Sequence, residues 1–143
     1  MKQIARFALP ILIVALLYLL LSGHLLSTSP FIITAQVAAI ALSAWARRSF
    51  QRGQFSIHLE PKEGPRLSTG PYQYIRHPMY AAALLLLWSS VLGHWSLIPV
   101  TIGLIVTSVV TVRIVTEEQF LRDHFPDYSE YAHKTKRLIP FLI

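Results

Sequence analysis

Two clusters in this sequence carry residue types suited to chemistry. The first is Gly70-Pro71-Tyr72-Gln73-Tyr74-Ile75-Arg76-His77-Pro78-Met79-Tyr80. Pro78 suits the first turn of a helix, where its missing N–H costs little. Arg76 and His77 then stand beside free backbone N–H groups and the positive helix end, a place that attracts a carboxylate or phosphate. The second cluster is Arg113…Glu117-Glu118…Arg122. Neighbouring carboxylates on a helix point about 100° apart, so only one of Glu117 and Glu118 faces an interior easily. Arg113–Glu117 and Glu118–Arg122 have the i,i+4 spacing of helical ion pairs. Each cluster also has a plainer reading. Arg76 and the tyrosines suit a headgroup anchor and an interfacial aromatic belt, and the second cluster suits a salt-bridged helix end. Against that, ionisable groups at membrane depth are costly and often functional. Two carboxylates opposite an Arg-His pair would hold a ligand that carries both an anion and a cation.

Signatures common in soluble enzymes are missing: there is no GxGxxG, P-loop or HExxH. Cysteine is absent, which excludes disulfides, thiolate metal sites, a cysteine nucleophile and palmitoylation. His58, His124 and His133 are scattered without metal-ligand spacing and read as surface residues, so no metal is expected. His24 and His94 read as interfacial side chains, and Trp45, Trp88 and Trp95 as belt or packing residues.

The elements that must position these clusters are apolar. Of 143 residues, 53% are hydrophobic and only 14% charged, against roughly 25% charge in an ordinary soluble domain. The apolar residues form runs. Phe7–Leu26 is free of charge, Phe31–Ala46 extends to Phe50 if Arg47 and Arg48 snorkel, and Met79–Val112 spans 34 uncharged residues. About 20 helical residues cross a ~30 Å hydrocarbon core, so the last run is too long for one span. It reads as two, joined by a tight turn near Gly93–Pro99. The expectation is an all-α membrane protein with four transmembrane helices, at about 7–26, 31–50, 79–96 and 98–116, in one domain. The first run reads as a span and not as a removed leader, although Lys2 and Arg6 precede it.

Charge sets the orientation. The expected external loops, 22–30 and 93–98, contain no Lys or Arg. The positive-inside rule then places both termini and the connector 47–78 in the cytosol. The net charge of +6 suits anionic headgroups, and no basic platform stands clear of the membrane for nucleic acid. The connector, rich in Pro and Gly, reads as an ordered loop with turns at Glu63-Gly64-Pro65 and Thr69-Gly70-Pro71. The tail 117–143, broken at Pro126, reads as an interfacial helix with Tyr128, Tyr131, Ala132 and Thr135 at 3–4 spacing.

The two clusters, followed by Phe125, Tyr128, Tyr131 and Arg137-Leu138-Ile139-Pro140, resemble the isoprenylcysteine carboxyl methyltransferase family, with phospholipid N-methyltransferases as more distant relatives. The resemblance covers about residues 66–140. It implies a membrane-embedded methyltransferase using S-adenosylmethionine, with the cofactor in a cytosol-facing pocket. By position it assigns Arg76, His77, Tyr80, Glu117 and Glu118 to the cofactor and active site, with Tyr74 among the cofactor contacts. Arg76, Glu118 and Arg113 are the candidates for work at the reacting atoms, and either Glu118 or Arg113 faces the substrate. The acceptor implied is a small lipophilic carboxylate, thiol or amine reached from the bilayer. Two other functions fit the architecture: an NADPH-dependent membrane reductase, and a non-catalytic membrane partner protein.

Overall fold

A computed structural model describes residues 2–49 and 68–139. Most of the expected connector 47–78, with its turn at Glu63-Gly64-Pro65, falls outside the described residues, as does the tail from 140. The described chain is helical throughout: α1 (Lys2–Leu21), α2 (Pro30–Arg48), α3 (Pro78–Gly93), α4 (Leu97–His124) and α5 (Tyr128–Lys134), with a short 3-10 helix at Gly70–Gln73 before α3. The long apolar run breaks after Gly93, so α3 and α4 are separate helices joined through His94–Ser96. Pro99 lies within the first turn of α4 and not in the connection, at a position where proline is tolerated.

By length and composition α2 and α4 are each long and apolar enough to cross a membrane. The apolar stretches Ala5–Leu21 and Pro78–Gly93 are shorter. Many large apolar side chains face outward, among them Phe7, Val14, Leu21, Phe31, Ile40, Leu97 and Leu104. Water does not tolerate an apolar surface of that extent, whereas lipid does.

α3 and α4 do not form the tightest pair, as their short connection suggests they would. α2 packs along α3 and α1 along α4, with a lighter seam between α3 and α4. Small residues explain the choice. α1 buries Ala5, Ala8 and Ala15, α2 buries Ala39 and Ala46, and α3 buries Ala82, Ser89 and Ser90. Such residues let helix backbones approach closely where no hydrophobic force distinguishes a helix from its surroundings. Leu12, Leu19, Leu87, Val106, Val110 and Ile114 fill the centre. Across the seam, Trp88 Nε1 donates to Thr107 Oγ1 at 3.0 Å.

Candidate functional site

The 3-10 helix and the start of α3 place the first cluster at the same end of the bundle as the last turns of α4. Gly70 makes this possible. Its φ is +61°, in the left-handed region, and a Cβ there would collide with Ser49 Oγ beside Trp45. The chain then turns through Pro71–Gln73, bridges to the tail at Ile75 and enters α3 at Pro78.

Glu118 lies at the centre. Its side chain is only 4% exposed. Oε1 accepts from Arg76 Nε at 2.8 Å, and Oε2 from Arg137 Nε at 3.2 Å. His77 Nε2 stands 3.4 Å from Oε1. That nitrogen is buried and makes no hydrogen bond among the described residues. Arg76, 9% exposed, has a second duty. Its Nη1 donates to the carbonyls of Ala132 (2.7 Å) and Thr135 (2.5 Å) in the tail. The backbones join as well. Arg76 N–H donates to Lys136 O at 2.7 Å, His77 N–H to Arg137 O at 3.0 Å, and Lys136 N–H to Tyr74 O at 3.0 Å, a parallel bridge between Ile75 and Lys136.

Glu117 points elsewhere, as adjacent helical positions require. Its side chain is 29% exposed. Oε2 accepts from Tyr80 Oη at 2.8 Å, and Tyr80 Oη in turn accepts from Arg113 Nε at 2.5 Å. Arg113 is buried in α4 and also donates through Nη1 to Ala5 O of α1 at 3.1 Å. The Tyr80 ring stacks on His77 with centroids 5.6 Å apart, which links the two carboxylate groups into one patch.

The residues singled out in the sequence thus divide. Arg76, His77, Glu118, Tyr80, Glu117 and Arg113 converge. Tyr74 contributes its carbonyl, while its side chain is largely exposed. Of the two i,i+4 pairs, Arg113–Glu117 stands at 4.0 Å. Glu118 turns away from the exposed Arg122 to Arg76, His77 and Arg137.

The tail is less peripheral than its interfacial pattern suggests. Tyr128 is fully buried, and Tyr131 Oη donates to Tyr72 O at 2.6 Å. Burial first, and then the Glu117 charge, pushes the Tyr72 phenol well above its ordinary pKa. Burial, then the Glu118 charge, does the same to Tyr128. Both phenols therefore stay neutral.

Sequence reasoning gave Arg137 and Thr135 no individual role. Thr135 entered only through the helical spacing and Arg137 only through the motif that carries the resemblance, and the signal that places them is the run of backbone bonds to residues 74–77. Near the tail, Ser68, Gln73, Asp127, Tyr131 and Lys134 line an open hollow of about 280 Å³. Among the described residues no group of three or more His, Cys, Asp or Glu is placed to hold a metal ion.

The cobalt-zinc-cadmium resistance protein CzcN of Cupriavidus metallidurans is 29% identical over 123 residues, which is 80% of this chain and 51% of that protein. The chain thus spans about half the length of the curated relative it matches. No solved structure matches. The model of the phospholipid methyltransferase family matches residues 24–128, a stretch that contains both charged clusters. The chain belongs to the phospholipid methyltransferase family.

Proposed function

We propose that this protein transfers a methyl group from S-adenosylmethionine to a small lipophilic acceptor at the cytosolic membrane face. The proposal includes four membrane spans with both termini inside. The observation that carries it is the meeting of Arg76-His77 with Glu117-Glu118 at one end of the bundle, within the stretch matched by a methyltransferase family.

The side chains fit such a cofactor by their chemistry. Arg76 and Glu118 neutralise each other and are nearly sealed from water, so they brace the site. The rim carries the exposed charges. Glu117, still partly open, suits an ammonium or ribose hydroxyls. Arg137, with a 46% exposed side chain, suits a carboxylate. His77 Nε2, buried without a hydrogen bond, offers one more polar contact. The cofactor supplies a methyl on sulfur that is already activated, so the protein's task is alignment. Tyr80, held between Glu117 and Arg113, provides a fixed wall for that alignment. A carboxylate or thiolate acceptor would need no general base, and the apolar flanks of α2 and α4 suit one arriving from lipid.

Isothermal titration of the full chain in detergent with S-adenosylhomocysteine tests the reading. Binding by the wild type, weakened about tenfold or more in Glu117→Gln and Arg137→Ala, is expected. A wild-type protein that binds nothing overturns it.

A further inference from the structure

Arg113 is buried in α4, one helical turn before the partly exposed Glu117. Three helices meet on its guanidinium. Nη1 donates to the Ala5 carbonyl of α1 at 3.1 Å, and Nε donates to Tyr80 Oη of α3 at 2.5 Å. Cζ lies 5.8 Å from the centroid of the Tyr80 ring. Helical spacing alone suggests a direct ion pair between Arg113 and Glu117. That contact is long, at 4.0 Å, and the short route passes through the phenol. Tyr80 Oη donates to Glu117 Oε2 at 2.8 Å.

What each group is able to do fixes the direction of these bonds. A guanidinium has donors and no acceptor, so the phenol oxygen accepts from Arg113. A phenol carries one proton, and here it goes to Glu117. The series runs one way, from a cation through a hydroxyl to a carboxylate, and the bonds of such a series polarise one another. Tyr80 therefore has no proton to offer a ligand. Glu117 has one oxygen committed to Tyr80, which leaves Oε1 for a ligand. This side of the site meets a ligand with acceptor oxygens alone. Such a wall suits ammonium and hydroxyl groups and repels a phosphate.

The far end of the series is a backbone carbonyl. Ala5 is fully buried where α1 packs along α4, so Arg113 is tied to a fixed point. α1 holds the guanidinium, the guanidinium holds the phenol, and the phenol holds the carboxylate. We infer that Arg113 is a positioning residue, which acts on the ligand through Tyr80 and Glu117 without touching it. The inference takes the identity of the ligand from the methyl-transfer reading, and the role of Arg113 from these three bonds. Lysine is a poor substitute, because a point charge on a flexible stem lacks the rigid fork that spans Ala5 O and Tyr80 Oη.

The test is a double-mutant cycle on the full chain in detergent, read by isothermal titration with S-adenosylhomocysteine. Arg113→Lys and Tyr80→Phe should each weaken binding about tenfold, and the double variant should stay within about twofold of Tyr80→Phe, because one link is broken in all three. A guanidinium that touched the ligand itself would make the losses multiply to about a hundredfold, which overturns the inference. A role in folding alone would lower the unfolding midpoint of Arg113→Lys and leave the affinity of the folded protein unchanged, which overturns it too. A second measurement needs no ligand. With tyrosine ¹³C-labelled at Cζ, the NMR signal of Tyr80, identified by its loss in Tyr80→Phe, should move in Arg113→Lys and stay in place in Arg122→Lys. A Tyr80 signal unmoved by Arg113→Lys overturns the inference. A wild type that binds no S-adenosylhomocysteine removes the methyl-transfer reading, and the tyrosine spectrum then decides the role of Arg113 by itself.

Discussion

At the scale of single residues, the site separates charges that brace from charges that face solvent. Arg76 and Glu118 are buried partners, and Arg76 also satisfies two tail carbonyls. Removing one member of a buried pair strands the other, at a cost of about 3–5 kcal/mol. Arg76→Ala should therefore lower the unfolding midpoint in detergent sharply and abolish ligand binding with it. Glu117→Gln should behave differently. Glu117 is partly solvated, so stability should change by less than about 1 kcal/mol while S-adenosylhomocysteine affinity falls. Equal losses of stability in the two variants would contradict this division. The angle between adjacent helical positions made the split of Glu117 from Glu118 legible in the sequence. The resemblance put Arg76 and Glu118 in one site, but their direct ion pair and the part played by Arg137 were not legible. Arg122 has ideal helical spacing, yet Arg76 and Arg137 come from distant segments that no local rule connects.

At the scale of elements, the tail acts as a strap. Three backbone bonds and the Tyr131–Tyr72 bond hold residues 131–137 along residues 72–77. Tyr131→Phe removes one hydrogen bond and should cost about 0.5–1.5 kcal/mol. Limited proteolysis should then cut the tail faster, with the helical circular dichroism unchanged. Gly70 controls the approach of the same segment to α2. Gly70→Ala meets both a left-handed backbone and Ser49, so it should destabilise by more than the roughly 1 kcal/mol typical of Gly-to-Ala strain, measured by thermal unfolding. The tail's amphipathic spacing was visible in the sequence, but it could not say what the face would cover. Backbone amides make the bridge to Ile75, and any residue except proline can supply one.

At the scale of the whole molecule, the helix count, the break after Gly93 and the start of α3 at Pro78 follow from apolar run length and proline placement. The pairing of α2 with α3 and of α1 with α4 does not, because it depends on the shape of alanine and serine faces and not on hydropathy. Orientation is open to direct measurement, since the natural sequence contains no cysteine. In intact cells, Thr28→Cys and Ser96→Cys should react with an impermeant maleimide, and Ser129→Cys only after permeabilisation. The reverse pattern would invert the topology proposed from the positive-inside rule.

The sealing of Arg76 against Glu118 also has a bearing on handling. Dissolved electrolyte screens charges that face water but scarcely reaches a pair walled in by protein. Strong brine should thus strip the solvent-facing Lys134–Glu130 contact and leave the strap fastened, so washing membranes at high ionic strength will remove loosely adsorbed material without unhooking the tail.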